Sequence, residues 1–332
     1  MRVLADYHHG CLYESLAILF EDRFGWELYR PTGFDWHQAG LWRYSADMRV
    51  VEQYLRTEAG SYRDRGTHHE WADTAHPGRV HKAVTLEQFR AMGRWDFVLA
   101  SVTQHEAPYR QLAQESGARL VVQVGNVGQP VLDQDALVLC ATSRTFPGLR
   151  ALTYHPEFSL ADYRREPPLE TRRPHVANFV NCFPVTAGIG LWREVEALLP
   201  DFNFWQYGIL GRDGIVGPCG EVARRMRESA FAWHDKPHGD GYGFVLHHWA
   251  ACGRPLVGHA GYYRGALGGP LWEDGVTCVS LDNRTPAEAA RLMQEAHASG
   301  RHAEMGRALR ARFEEIVDFD QEAEAIRALL AA

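Results

Sequence analysis

The chain has 332 residues, 45% hydrophobic and 11% aromatic, which excludes a disordered polymer and supplies side chains for ordinary cores. Its formal net charge of −7 excludes recruitment of nucleic acid or an anionic membrane by the field of the whole protein, though not by a local basic patch. At about 150 residues per domain the length predicts two domains. Lys82 and Lys236 are the only lysines, a bias that a GC-rich coding sequence explains as well as any function. Cys11, Cys140, Cys182, Cys219, Cys252 and Cys278 show no C-x-x-C spacing and are expected as free thiols acting as small hydrophobes. The N-terminus begins directly as a strand with no signal h-region. No apolar run approaches the ~20 residues needed to span a bilayer. A reducing, cytoplasmic setting without a membrane span is the expectation.

In chain order, Arg2–Tyr7 is predicted as a short apolar strand, with His8-His9-Gly10 turning after it. Leu12, Leu16, Leu19, Phe20 and Phe24 then recur at helical steps up to Gly25. Trp26–Arg30 follows as a strand, so the chain opens as the β–turn–α–β unit of a parallel, doubly wound sheet. Ligands of such sheets sit beyond the carboxyl ends of the strands, where His8, His9 and Gly10 fall. From Thr32 to Lys82 the pattern gives way to aromatics mixed with arginine and histidine, expected as a long irregular lid or substrate loop with a helix over Asp47–Glu58. Leu86–Met92 is predicted as a helix, Trp95–Val102 as a strand, Pro108–Ser116 as a helix, and Arg119–Val124, Ala136–Ala141 and Ala151–Tyr154 as strands. His105 lies in the turn between Val102 and Pro108. This first α/β domain is placed at residues 1–160, and the proline- and charge-rich segment Ser159–Pro174 is the linker.

A second α/β domain, residues 175–315, begins with the strand His175–Phe183. A turn with Thr186, Gly188 and Gly190 leads to the helix Leu191–Leu199 and the strand Phe204–Tyr207. The Gly-rich run Gly208–Gly220 carries Arg212, and Glu221–Ser229 is a helix. Phe231–Gly258 then holds a strand, a Gly-Asp-Gly-Tyr-Gly loop, an apolar helix, a Gly-Pro stop and a second strand: one βαβ unit with its chemistry in the first turn. Val276–Leu281 is a strand. Helix-favouring sequence runs from Thr285 to Ala332, with residues 316–332 as a separate last helix.

The turn Gly239–Gly243 at a helix start offers free backbone N–H groups and a positive dipole end, both suited to a phosphate. Lys236 and Arg212 add charge. Asp240 and His248 are eight residues apart, which on one helix places them on the same side. They can hydrogen-bond two ends of an elongated sugar-bearing ligand, or serve only as an N-cap and a buried histidine. Zinc chemistry fits poorly, since H-E-x-x-H is absent. A dinucleotide fingerprint at Gly188-Ile-Gly190 lacks its third glycine, and no acid ends the following strand.

The run Asp240-Gly-Tyr-Gly…His248…Ala251-Cys-Gly-Arg-Pro255 resembles the E-G-F-G-x-x-x-x-E-A-x-A-x-G-x-P-V signature of nucleotide-sugar glycosyltransferases with two Rossmann-like domains, the GT-B fold. The first glutamate is here Asp240, and the second, a ribose-binding position, is His248. The His105 turn, the strand end Gln123–Asn126 and Met305-Gly306…Arg310 also fall at places similar to the family's. The resemblance implies two Rossmann-like domains facing a cleft, an acceptor-binding first domain and a last helix returning to it. It implies a metal-independent hexosyltransferase moving sugar from a nucleotide diphosphate, UDP-sugar foremost, to an acceptor hydroxyl, with no other cofactor. The acceptor is a glycan, a small molecule or a hydroxymethylated DNA base. His105, His8, His9 and Asp240 are the catalytic candidates. Gly10, Arg212, His234, Lys236, Gly239, Gly241, Tyr242, Gly243, His247 and His248 are the donor-binding candidates. The alternatives are a nucleotide-sugar epimerase of the same layout and a non-catalytic nucleotide-sugar binder.

Overall fold

The computed structural model describes residues 1–6, 10–32, 36, 63–72, 78–164, 173–181, 183–186, 188–217, 219–237 and 241–332. They form two units: Met1–Phe158 with Phe319–Ala332, and Ser159–Asp318.

The first unit runs β1 (Arg2–Ala5), α1 (Gly10–Ala17, continued by a π-helical turn over Ile18–Arg23), β2 (Glu27–Pro31), β3 (Arg63–Asp64), β4 (His69–Ala72) and β5 (Val80–Val84). It continues with α2 (Leu86–Ala91), β6 (Phe97–Ala100), α3 (Thr103–Ser116), β7 (Arg119–Val124), β8 (Leu137–Cys140) and β9 (Arg150–Thr153). The sheet order is β3-β4-β5-β2-β1-β6-β7-β8-β9, parallel from β5 to β9. Central strands covered on both faces need unbroken apolar runs. Val3-Leu4-Ala5, Phe97–Ala100 and Leu137–Cys140 supply them, buried at every position.

Two expectations are corrected here. The Thr32–Lys82 segment is not irregular throughout: β3, β4 and β5 form an antiparallel ladder at the sheet edge, pairing Trp71 with His81 and Glu70 with Lys82. Polar side chains mask the strand periodicity, although Trp71 and its partner His81 are both buried, with the Arg30 guanidinium 3.8 Å over Trp71. The expected helix over Asp47–Glu58 lies outside the described residues. Helix α3 starts at Thr103, five residues before Pro108, because Val102 ends the extended backbone at once (φ −138°, ψ 146°). His105 therefore sits in the first helical turn, and Pro108 is carried inside the helix.

The helix Phe319–Ala331 packs on this unit. Both Glu322 oxygens bind His155, one at the backbone N–H and one at Nδ1, each at 2.6 Å. Arg119 donates to the Leu330 carbonyl at 2.7 Å, and Arg327 lies 4.5 Å over Phe24.

The second unit contains α4 (Leu160–Tyr163), β10 (His175–Asn178), α5 (Ile189–Leu198), β11 (Asn203–Gln206), α6 (Cys219–Glu228) and β12 (Phe231–Trp233). Then come α7 (Phe244–Cys252), β13 (Leu256–Gly258), β14 (Cys278–Ser280), α8 (Pro286–Ala298) and α9 (Arg301–Ile316). The helix Phe319–Ala331 is α10. The five strands are parallel in the order β11-β10-β12-β13-β14. Their core joins Val176, Phe231, Trp233, Val257 and Val279 to Trp192, Met293 and Met305. A capping box starts α8: Thr285 Oγ1 accepts from Glu288 N, and Glu288 accepts from Thr285 N at 2.8 Å. Part of the expected linker is α4, whose Tyr163 is buried. Among the described residues Cys11, Cys140, Cys252 and Cys278 are free, and burial pushes the thiols of Cys11, Cys252 and Cys278 up to about 12. No helix of the described residues is long and apolar enough to cross a membrane.

Helix α9 crosses the end of α7 where two glycines meet. Gly253 caps α7 in the left-handed region (φ 65°), and a Cβ on Gly306 would stand 2.1 Å from its carbonyl oxygen. Gly306→Ala must push α9 away, so we expect a loss of about 1–3 kcal/mol, the usual range for overpacking. A urea titration checks this; an unchanged midpoint would show that the helices do not touch there.

Candidate functional site

In the second unit the chain passes from β10 to β11 on one side and from β12 to β13 on the other. The order reverses between β10 and β12, and at such a reversal an open parallel sheet leaves a crevice beyond its carboxyl ends. The residues there come from the β10–α5 turn and the segments after β12 and β13. Asp235, two residues past β12, is 1% exposed. Its Oδ1 accepts from the His259 backbone N–H at 3.2 Å and from His259 Nδ1 at 2.7 Å. Its Oδ2 would lie 2.7 Å from a Cβ on Gly188, so the residue before α5 must be glycine. The hydrogen bond to Asp235 raises the His259 pKa above its ordinary value, against the lowering effect of burial.

The start of α7 is built around Gly243, in the left-handed region (φ 70°). His247 Nδ1 donates to the Gly243 carbonyl at 3.2 Å, and its ring stacks on Tyr242 at 4.0 Å. His248 is 4% exposed and stacks on Tyr163 at 4.3 Å. His234 is buried with its ring 5.8 Å from Tyr263, which stacks on Trp272. Lys236 is exposed just past Asp235. Thus Gly241, Tyr242, Gly243 and His247 are brought together at the mouth of α7, with His248 one step further into its packing. Gly239 and Asp240 lie outside the described residues.

Arg212 is held by local partners. Its guanidinium reaches Glu196 at 2.8 Å and Asp213 at 3.4 Å, and it donates to the Phe204 carbonyl near the start of β11. The loop after β11 folds back along its strand, with Gln206 N donating to Asp213 and Asp213 N to the Gln206 carbonyl. The arginine lines a cavity with Pro184, Ile189 and Trp192.

The first unit's sheet reverses between β1 and β6. Asp6 follows β1 and is fully buried. Its Oδ1 accepts from Ser101 N at 2.5 Å, and its Oδ2 accepts from His105 Nδ1. His105 is 5% exposed and stacks on Tyr109 at 5.6 Å. A carboxylate on Nδ1 fixes the proton there and leaves Nε2 as the basic nitrogen. Next to it, buried Glu106 accepts from Leu132 N and Asp133 N at 2.7 and 3.1 Å, tying the loop before β8 to α3. Gly10 opens α1, and a Cβ there would meet nothing within 4 Å. His8 and His9 lie outside the described residues. Sequence reasoning missed Asp6, Asp235 and His259. The available signal was position: two acids and a histidine directly after central strands.

No family model and no curated protein matches the chain. Solved structures do. HepE from Anabaena, in complex with UDP and glucose, superposes with a TM-score of 0.66 at 13% identity, over 100% of this chain and 99% of its own. TarM from S. aureus, in complex with fondaparinux, α-GlcNAc-glycerol and UDP, gives 0.61 at 10% identity over 100% of both chains. Sucrose-phosphate synthase from Thermosynechococcus elongatus gives 0.58 at 14% identity over 99% of this chain and 97% of its own. A likeness that runs end to end through two parallel sheets fixes the architecture: this chain has the GT-B fold of these glycosyltransferases, with two Rossmann-like domains.

Proposed function

We propose that the chain is a glycosyltransferase that moves a sugar from a UDP-sugar to an acceptor hydroxyl. The observation that carries this is the full-length likeness to transferases that hold UDP, together with a glycine-shaped turn and helix start, Gly241–Gly243, at the reversal point of the second sheet. The second unit binds the donor. Backbone N–H groups at the starts of α5 and α7 and the Lys236 ammonium stabilise the diphosphate as its bond to the anomeric carbon breaks. No metal is needed for that charge. Asp240 orients the sugar. Tyr242 and His247 shape the turn, with His234 behind it, Gly239 is a further donor-side candidate, and His248 takes the ribose-side position.

The first unit takes the acceptor. As the new bond forms from the acceptor oxygen to the anomeric carbon, the bonding pair of the old C–O bond leaves with the diphosphate. The hydroxyl proton passes to His105 Nε2, while Asp6 holds the ring's tautomer. His8, His9 and Gly10, which follow β1 in the sequence, are further candidates on the acceptor side.

Saturating UDP-glucose at 100 times its dissociation constant should raise stability by about 2.7 kcal/mol, read as a thermal shift; no shift with any UDP-sugar would remove the proposal. Turnover is then measured against a glycan, a small polyol and a duplex carrying hydroxymethylated cytosine. Solvent deuterium entering the sugar without an acceptor would favour an epimerase, and binding without turnover a non-catalytic binder. For His105→Ala we expect a fall in kcat of about 10²- to 10⁴-fold, the contribution of a positioned acid–base group, with UDP-glucose affinity kept. Asp6→Asn should lower kcat in the same direction, because an amide donor turned to Nδ1 favours the other tautomer.

A further inference from the structure

Asp235 is the meeting point of three elements: it follows β12, holds the residue after β13, and lies against the residue before α5. A carboxylate this enclosed is costly unless positive charge and donors face it. His259 supplies both, through its backbone N–H and ring Nδ1. With Nδ1 fixed on Asp235, Nε2 points from the opposite edge of the ring. Among the described residues Nε2 has no hydrogen-bond partner, and the side chain is 24% exposed. Tyr262 stacks on the ring at 4.7 Å and sets its plane.

Lys236, just past Asp235, is one cation of this corner, and the β10–α5 turn adds none. The segment from Phe179 to Gly190, which leads into α5, contains no lysine or arginine. Arg212 borders a cavity with Pro184 and Ile189, but its guanidinium is already engaged by Glu196, Asp213 and the Phe204 carbonyl. Space is nonetheless open at the start of α5, where a Cβ on Gly190 would meet nothing within 4 Å. A diphosphate at this strand end needs a donor that brings charge.

We propose that His259 is a donor-phosphate ligand, its Nε2–H donating to a non-bridging oxygen of the UDP-sugar diphosphate, with Asp235 as the positioning residue that holds the ring. This rests on the UDP-sugar reading above. The pair is neutral when the ring is protonated and carries one negative charge when it is not, so an arriving diphosphate favours the protonated form. The charged groups acting on the ring are Asp235, after β12, and Asp282, after β14, both of which raise its pKa. Asp282 is itself held by Gly261 N at 2.8 Å and Ser280 Oγ at 3.1 Å.

Calorimetry on the full chain tests this with UDP-glucose and uridine as paired probes. UDP-glucose has no titrating phosphate in the neutral range, so pH reports on the protein. His259→Gln should weaken UDP-glucose about tenfold or more, the size of one hydrogen bond between charged groups, and leave uridine unchanged. Wild-type affinity for UDP-glucose should fall as pH rises through the His259 pKa, above about 6.5, and the variant should lose that slope. Asp235→Asn should move the fall to lower pH, followed through the His259 ring signals. Equal losses for UDP-glucose and uridine, or no loss for either, would overturn the role of His259 alone. A wild-type chain that binds neither probe would overturn the UDP-sugar reading itself.

Discussion

Each unit depends on one buried carboxylate at the point where its sheet reverses. Asp6 and Asp235 both follow a central strand, both are about fully enclosed, and both bind a backbone N–H and a histidine Nδ1 supplied after a neighbouring strand. Burying such a charge without partners costs several kcal/mol, and removing one partner leaves the other stranded. The carboxylate thus fixes where the next strand's loop must start. In the first unit this helps to explain why α3 begins at Thr103: only an immediate helix delivers His105 to Asp6.

The same arrangement turns a structural cost into a chemical tool. A histidine held at Nδ1 has one defined tautomer and a defined direction for Nε2. Loops at strand ends are otherwise the most mobile parts of an α/β unit. Tying them through a buried acid to the sheet gives each histidine the rigidity of the core while its second nitrogen stays on the strand-end side. Glu106 extends this logic, anchoring the loop before β8 through two backbone N–H groups.

Much of the fold was legible because parallel strands and amphipathic helices write strong periodic signals. Val3–Ala5, Phe97–Ala100 and Leu137–Cys140 are unbroken apolar runs, and the helices over Leu86–Ala91 and Ile189–Leu198 begin and end within two residues of their expected limits. What failed was local. In β4 and β5 the alternation is carried by Trp71 and His81 amid charged neighbours, so the edge strands read as loop. Pro108 suggested a helix start because proline favours the first turn, whereas tertiary demand from Asp6 placed it earlier. The site was half legible. Glycines around Tyr242 declare a tight turn by type alone. The two carboxylate–histidine pairs join residues 99 and 24 positions apart, and no spacing rule connects them.

The distribution of arginine explains why histidine carries so much here. In a chain with two lysines the cations are nearly all guanidinium groups, and many of these are committed to architecture. Arg23 joins Glu157 to Asp320, Arg224 spans Glu221 and Glu228, Arg284 clamps Asp274, and Arg212 ties a loop to β11. A guanidinium fork is well suited to such bidentate work because its geometry is rigid and its charge permanent. Those properties make it poor at releasing or accepting a proton. The proposed transfer would have to neutralise a departing diphosphate and receive a proton from an acceptor, and so needs groups that can hold or release a proton. Histidine is the side chain that can do both, and in the proposed transfer those roles fall to His105 and His259, each held by a buried aspartate.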